Sequence, residues 1–330
     1  MINVLPSDSN PYYFSRLSEL YKQIYSAMLS CMVSYSRSVR VPSQTMDVFS
    51  GIFNHILCDN PAVFYVKSFR LVTDKRSGIC TFSPDYLYSR AEAMRLADKF
   101  RDFLGVFNPL RNANDFDKEI GIHDFCVKKL TYDTSFGPYS HSIIGPILKQ
   151  SAVCDGLAKF IKLAFDYVGV RSLVVMGQAN NPARANRVEN HAWNIVRINK
   201  KNFHLDATFD MGVTKKQVRY DYFNLSDSWI SIDHELPGGL PKCTVSGQDF
   251  YAIRNMTASS PSEFIAIIRK NLLQGVKTFV VKFTYLKYSP KTHDELLQIA
   301  LNQYTRLFLS GVSLSVSMNT SQMVYEFCFT

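Results

Sequence analysis

The sequence predicts an α+β protein, in which a helix that begins at a cysteine packs on an antiparallel sheet, with α/β regions on either side. The first observation is a run of apolar residues after Cys154 that recur along one helical face and stop at Gly169. The second is a pair of strand-like segments, residues 191–198 and 203–208, joined by the polar turn INKKN. The outer parts of the chain alternate amphipathic helices with short strands.

Composition places the chain among globular proteins. It has 330 residues, of which 46% are hydrophobic, enough to bury a core of two or three domains. It has no run of eighteen apolar residues, so no transmembrane segment is predicted. The start, MINVLPSDSNPYY, lacks the basic and apolar regions of a signal peptide. We therefore expect a cytoplasmic location by default, with secretion by another route left open.

Charge and cysteine content exclude several classes of partner and site. The net charge of +9 comes from scattered basic residues without a nucleic-acid motif, which favours a soluble surface over specific nucleic-acid binding. The seven cysteines are odd in number, scattered and without a C-x-x-C pair, which argues against a disulfide framework and a structural zinc site. The sequence predicts neither a metal nor a cofactor, and it leaves the oligomeric state open.

Breaks in the pattern predict three segments: an α/β region at 1–112, a catalytic core at 113–236 and a small α/β module at 237–330. The first boundary follows Asn108-Pro109, and the second is the Pro/Gly-rich stretch ELPGGLPK. Predicted helices are 14–35, one from Ser43 to Asp59, 89–104, 115–130, 260–273 and 293–309. Predicted strands outside the core are 62–72 and 78–82 around a turn at 75–78, 277–285, and a hairpin of 312–318 with 323–329.

Cys154 is the strongest candidate nucleophile. It stands in or just before the first helical turn, where unpaired backbone N–H groups favour a thiolate over a thiol. The same N–H groups can stabilise a developing oxyanion. Position alone leaves the alternative of an inert buried cysteine equally open.

His191 and Asp206 strengthen this interpretation. If Asn199 and Lys200 form a two-residue hairpin turn, Asp206 lies opposite Trp193 on the neighbouring strand. His191 is then a diagonal neighbour of Asp206, with Cα atoms about 7–8 Å apart and both side chains on one face of the sheet. A slip of one residue would place the two side chains on opposite faces.

The motifs VCDGLAKF, NHAWNIV and HLDATFD together resemble those of the transglutaminase-like superfamily, in particular its bacterial members, whose core is a variant of the papain-like thiol fold. The resemblance covers roughly residues 115–234. It implies Cys154 as nucleophile, His191 as base and Asp206 as the acid that orients the base. Many relatives have an aromatic residue where this chain has Leu157, so the resemblance leaves the substrate preference open.

Other residues have weaker claims. Tyr132 lies in a polar loop that precedes the helix and could contact substrate, and Gln150 could donate to an oxyanion. Trp193 is expected to stack beside the triad and shield it from water. His141 ranks below His191 as a base, since no acid follows it on a paired strand. The polar segment 178–190, with Arg184 and Arg187, is expected to be irregular and to overhang the site.

These observations predict a thiol enzyme that acts on amide bonds of peptides or proteins through an acyl-enzyme. Hydrolysis is favoured, because water is always present and no acceptor-amine site or calcium loop is apparent. The alternatives are a protein-glutamine transamidase or deamidase, or a non-catalytic peptide-binding module that keeps the fold. Residues 1–110 and 250–330 are expected to shape access to the cleft without taking part in the chemistry.

Overall fold

A computed structural model describes residues 5–6, 11–74, 76–137, 139–181, 187–215, 217–309 and 311–330. Helices and strands are mixed along the chain, which confirms the predicted α+β class. The helices are α1 (Tyr12–Arg16), α2 (Glu19–Val33), α3 (Met46–Asp59), α4 (Arg90–Leu104), α5 (Asp115–Lys129), α6 (Cys154–Val168), α7 (Ala207–Val213), α8 (Asp227–Ile230), α9 (Phe250–Ile253), α10 (Pro261–Leu273) and α11 (Pro290–Phe308). A 3-10 helix covers Gly105–Leu110 and a π-helical turn covers Gly145–Lys149.

The strands are β1 (Val39–Pro42), β2 (Val66–Asp74), β3 (Ile79–Tyr86), β4 (Thr131–Tyr132), β5 (Ser151–Ala152), β6 (Ser172–Asn181), β7 (Arg187–Ile198), β8 (Lys201–Leu205), β9 (Phe223–Leu225), β10 (His234–Glu235), β11 (Thr257–Ala258), β12 (Thr278–Phe283), β13 (Leu314–Asn319) and β14 (Val324–Phe329). Among the described residues, no helix is both long and apolar enough to cross a membrane.

The chain divides into two compact units. The first comprises Met1–Gly177 and Asn190–Lys201, and the second comprises Gln178–Glu189 and Asn202–Thr330. The predicted boundary after residue 112 falls inside the first unit, and the one after residue 236 falls inside the second. The division into three segments stays a prediction.

The first unit begins with helices and a three-stranded antiparallel sheet of order β1-β3-β2. The single helix predicted for 14–35 is instead two, because the Ser18 side chain caps a new helix by accepting from the Tyr21 N–H at 3.4 Å. Thr45 caps α3 in the same way. The predicted turn at 75–78 is present from residue 76 onwards, and Lys75 lies outside the described residues.

Helix α6 is the central element of the first unit. Its predicted apolar face, including Leu157, Phe160 and Phe165, is fully buried. Phe160 packs against Phe125 of α5, with ring centroids 6.0 Å apart. The helix ends as predicted at Gly169, whose φ of 80° is a left-handed conformation that glycine adopts without a Cβ penalty.

Buried Asn194 connects α6 with two strands. From β7 its side-chain amide donates to the Ala158 carbonyl of α6 at 2.9 Å and to the Leu173 carbonyl of β6 at 3.3 Å. A buried amide that satisfies two carbonyls holds the helix against the strands in one alignment. The turn after β7 is the predicted two-residue turn, since Asn199 and Lys200 have φ of 49° and 66°.

The second unit contains a four-stranded sheet of order β11-β12-β14-β13, in which only the β11–β12 pair is parallel. Its core is formed by buried residues of the sheet together with α10 and α11, such as Phe264, Leu296 and Phe327. The predicted terminal hairpin is confirmed, with Leu314 opposite Phe329. Helix α11 begins three residues earlier than predicted, because Ser289 caps it and Pro290 fits its first position. In the same unit β10 pairs antiparallel with the end of β6, and β8 pairs antiparallel with β9.

Candidate active site

Cys154 is the first residue of α6, as predicted. The preceding Val153 offers no side chain to cap the helix, so the first backbone N–H groups have no side-chain acceptor at the cap position. Among the seven cysteines only Cys154 and Cys328 are partly exposed, and the other five are buried. Burial raises the pKa of the Cys58 thiol to about 12, as it also raises that of Cys126. Cys154 therefore combines exposure with the start of a helix.

A tightly packed loop fixes the start of α6. The Val153 N–H donates to the Ser140 carbonyl at 3.2 Å. The same carbonyl oxygen would lie only 2.0 Å from a Cβ at position 156, so Gly156 is what allows the loop to approach the first turn. The Ser140 hydroxyl in turn donates to Asp133, which holds the loop closed.

Two of the weaker candidates belong to the short β4–β5 contact and the residue before it: Tyr132 is on β4, and Gln150 directly precedes β5. Tyr132 pairs with Ala152 in the short parallel contact of β4 and β5, and Ala152 is two residues before Cys154. Gln150 has a left-handed backbone, with φ of 52°, and its carbonyl accepts from the Thr131 N–H at 2.9 Å. The Gln150 side chain is exposed. The roles of both in substrate or oxyanion binding stay predictions.

His141 has an acidic partner that the sequence did not reveal. Its Nδ1 lies 2.8 Å from the Asp155 carboxylate, and Lys159 bonds both that carboxylate and the His141 carbonyl. The hydrogen bond to Asp155 raises the pKa of His141 despite partial burial. Burial alone would raise the pKa of Asp155, but His141 and Lys159 lower it. Only acids on paired strands were considered for His141, so its partner Asp155, which lies on α6, was missed. The ranking of His141 below His191 as the base stays a prediction.

His191 lies on β7 in the same unit as Cys154 and is 8% exposed. Its ring stacks with that of buried Trp193 at 6.0 Å, with 16° between the planes. Cys154 packs against a small buried cluster of Cys58, Ala158, Val174 and Ala192. Ala192 belongs to β7, so this cluster joins the first turn of α6 to the strand that carries His191.

The N-terminal region contributes to the same cluster. The Tyr13 ring packs against it, and the Tyr13 hydroxyl donates to the Val174 carbonyl at 2.7 Å. The ring also stacks on His55 of α3, with centroids 4.4 Å apart. Side chains from residues 1–110 therefore pack on the same cluster as Cys154. The role of this region in shaping access stays a prediction.

Asp206 belongs to the second unit, and its predicted position on a strand was wrong. Strand β8 ends at Leu205, and Asp206 is the N-cap of α7, with Oδ1 accepting from the Phe209 N–H at 3.0 Å. Aspartate is one of the residues that helices prefer at the N-cap, because its carboxylate accepts from a free backbone N–H group of the first turn. Asp206 is almost fully buried, as a triad acid must be. Its contact with His191 stays a prediction.

His234 bonds to the other oxygen of Asp206 and was not singled out from the sequence. Its Nε2 lies 3.0 Å from Asp206 Oδ2, and its Nδ1 lies 2.7 Å from Asp233 Oδ1. Burial alone would lower the pKa of His234, but the two carboxylates raise it. The local signal was the Asp-His pair at 233–234, which sequence analysis treated only as the end of the core.

The segment 178–190 was expected to be irregular. Its described parts are instead strand, since β6 continues to Asn181 and β7 begins at Arg187. Arg184 lies outside the described residues. The Arg187 side chain is exposed. The strands were missed because the segment is mostly polar, and strands were predicted from the spacing of apolar residues.

One side-chain group within the described part of the second unit has the donors of a metal site. Atoms of His204, Asp227 and Cys243 lie within 4.8 Å of one another, an N, O and S set that suits zinc. His204 Nε2 already lies 3.0 Å from the Asp227 carboxylate. Burial lowers the pKa of His204 to about 4, so the imidazole is neutral near neutral pH. The group is hydrogen-bonded without an ion, and the proposed chemistry does not need it.

No family model matches the chain, and no curated protein matches it. Among solved structures, one described as "a Putative Cysteine Protease from Cytophaga hutchinsonii" is similar in fold, with 13% identity and a TM-score of 0.27 over 43% of this chain and 61% of the other. Another, described as "a TGase", has 14% identity and a TM-score of 0.33 over 68% of this chain and 66% of the other. The chain thus spans less than two thirds of the length of each. The two descriptions name a cysteine protease and a transglutaminase, but the scores are low, so the chemistry is inferred from the residues of the site.

Proposed function

We propose that this protein is a thiol enzyme that cleaves amide bonds of peptides or proteins, with Cys154 as nucleophile, His191 as base and Asp206 as orienting acid. The observation that carries the proposal is the place of Cys154. It is a partly exposed thiol at the start of a buried helix, in the same unit as a buried histidine on β7. Such surroundings favour the reactive thiolate.

These residues support an acyl-transfer mechanism in which His191 carries the proton in each step. Cys154 passes its proton to His191, and its sulfur attacks the amide carbonyl carbon. The first backbone N–H groups of α6 stabilise the oxyanion that forms. The C–N bond then breaks as His191 returns the proton to the leaving nitrogen, which leaves a thioester on Cys154. Water, activated by His191, hydrolyses that thioester to a carboxylic acid and the free thiol.

The same thioester can react with a lysine amine in place of water, which would give transamidation. Hydrolysis remains the favoured outcome, since water needs no binding site of its own. If the scissile amide is a glutamine side chain, the product of hydrolysis is glutamate and ammonia. The three outcomes share the acylation step and differ only in substrate and acceptor.

The test is mass spectrometry of a peptide mixture with added lysine, incubated with wild-type protein and with the Cys154→Ala variant. We expect new peptide termini with the wild type and none with the variant. A gain of one mass unit at glutamine would instead identify a deamidase, and peptide–lysine adducts a transamidase. The matched control is Cys328→Ala, which removes the other partly exposed thiol and should leave the products unchanged. Equal product formation by Cys154→Ala and wild type would contradict the proposal.

A further inference from the structure

His234 is held by acidic residues at both of its ring nitrogens. The ring lies between Asp206, 3.0 Å from Nε2, and Asp233, 2.7 Å from Nδ1, and its side chain has no exposed surface. A histidine can donate to two carboxylates only when both nitrogens carry protons. The geometry is thus that of an imidazolium between two carboxylates, with contacts of the strong, charge-assisted kind.

The surroundings fix this ring from several sides. Asp233 accepts at its other oxygen from the Tyr222 hydroxyl at 2.7 Å and from the Gln322 side chain at 3.4 Å. The ring of Phe209 packs on His234, with centroids 4.7 Å apart. In addition, His234 is the first residue of β10 and pairs with Ala179 of β6. The backbone of His234 is thus fixed by strand pairing, its partner Asp233 is fixed by hydrogen bonds, and one face of its ring is packed against Phe209.

Asp206 is therefore held from two directions. Its Oδ1 accepts from the Phe209 N–H, and its Oδ2 lies against His234. The two contacts define the plane of the carboxylate. The titratable groups that face His234 in the second unit include Asp206, Asp233, Tyr222 and His204, of which His204 is neutral near neutral pH.

We propose that His234 is a positioning residue that holds the carboxylate of Asp206 in the orientation needed to align His191. This inference rests on the proposed function, in which Asp206 orients the base. In this role His234 takes no part in bond making or bond breaking. It acts through Asp206, since an acid free to rotate about its side-chain bonds would hold the base in several orientations, few of them productive.

Two substitutions separate the two contacts of the ring. The Nε2 of glutamine reaches about as far as imidazole Nε2, so His234→Gln can keep the donor to Asp206. The Nδ2 of asparagine lies near the position of imidazole Nδ1, so His234→Asn can keep the donor to Asp233 and lose the one to Asp206. Both variants lose the positive charge equally. A difference between them therefore reports the contact with Asp206.

The two variants are compared by the rate of Cys154 alkylation with iodoacetamide across pH and by the turnover of peptide substrate. Thermal unfolding of each variant shows whether it is folded. We expect His234→Asn to be about 10–100-fold slower than His234→Gln in turnover, the usual cost of a misplaced catalytic group. Its alkylation profile should also move towards that of an ordinary thiol. Equal behaviour of the two variants, at equal stability, would overturn the proposal.

The outcome for His234 can be distinguished from the outcome for the proposed function. If the wild type makes no Cys154-dependent product but alkylation still differs between the variants, the positioning role holds and the proposed activity fails. If products depend on Cys154 but the variants match, only the positioning role fails. Should neither variant fold, ¹⁵N NMR of the wild-type imidazole decides. Protons on both nitrogens of His234 are expected, and a bare Nε2 would overturn the proposal, because it could not donate to Asp206.

Discussion

Replacing His191 with glutamine is expected to lower kcat by about 10²–10⁶-fold, the range seen when a general base or a triad member is removed. Glutamine retains a hydrogen-bonding side chain of similar length on β7, but it cannot accept the proton of Cys154. The buried position beside Trp193 would remain filled, so the free energy of unfolding should change far less than the rate. Steady-state peptide hydrolysis and urea denaturation measure the two quantities.

The matched control is His141→Gln. His141 also has an acidic partner, Asp155, directly after Cys154, so it is the strongest competitor for the role of base. Its side chain is 60% exposed, however, and its bonded nitrogen faces Asp155. We expect a modest loss of activity. A loss as large as that of His191→Gln would assign the base to His141. A comparable loss in His55→Ala, in α3, or His293→Ala, in α11, would place the chemistry in a flanking region.

Gly156→Ala is expected to destabilise the first unit by about 3 kcal/mol, near the upper end for overpacking of a well-packed site. The added methyl carbon would lie 2.0 Å from the Ser140 carbonyl oxygen, and this oxygen belongs to the backbone and cannot rotate away. Either the loop or the first turn of α6 must move. Because Cys154 is in that turn, kcat should also fall by about 10²-fold.

The control for this substitution is Gly51→Ala in α3. A methyl group there meets no atom within 4 Å, in a helix of the same unit. Alanine should stabilise that helix by about 0.5–1 kcal/mol, because glycine loses more backbone entropy on folding. Urea denaturation compares both variants with the wild type. If Gly156→Ala were as stable as the wild type, the result would contradict the close contact between the Ser140 carbonyl and the first turn of α6.

The parts of this fold that were predictable from sequence depend on local interactions. Helix α6 follows from its apolar period and from Gly169, and the turn at Asn199 and Lys200 follows from the short polar stretch between two strands. The strand assignment failed at Asp206, where capping of the next helix outweighed strand pairing. In each case interactions between residues no more than four positions apart determined the local structure.

The contacts that sequence analysis missed join residues far apart in the chain. His141 and Asp155 are separated by 14 positions, and Asp206 and His234 by 28. A single sequence holds no signal for such pairs, because the period of a helix or strand relates only residues a few positions apart. Gly156 was also overlooked as a constraint, since its neighbour Ser140 comes from a loop.

The central claim is that Cys154 is an activated nucleophile, and the most direct test is its alkylation by iodoacetamide across pH, read by peptide mapping. Cys328 has a similar partial exposure and serves as an internal standard in the same sample. We predict that Cys154 reacts much faster than Cys328 at pH 6–7, well below the ordinary thiol pKa of about 8.5, and that His191→Gln removes the difference. If Cys154 and Cys328 react in parallel across the pH range, with no effect of His191→Gln, the account of the site is contradicted.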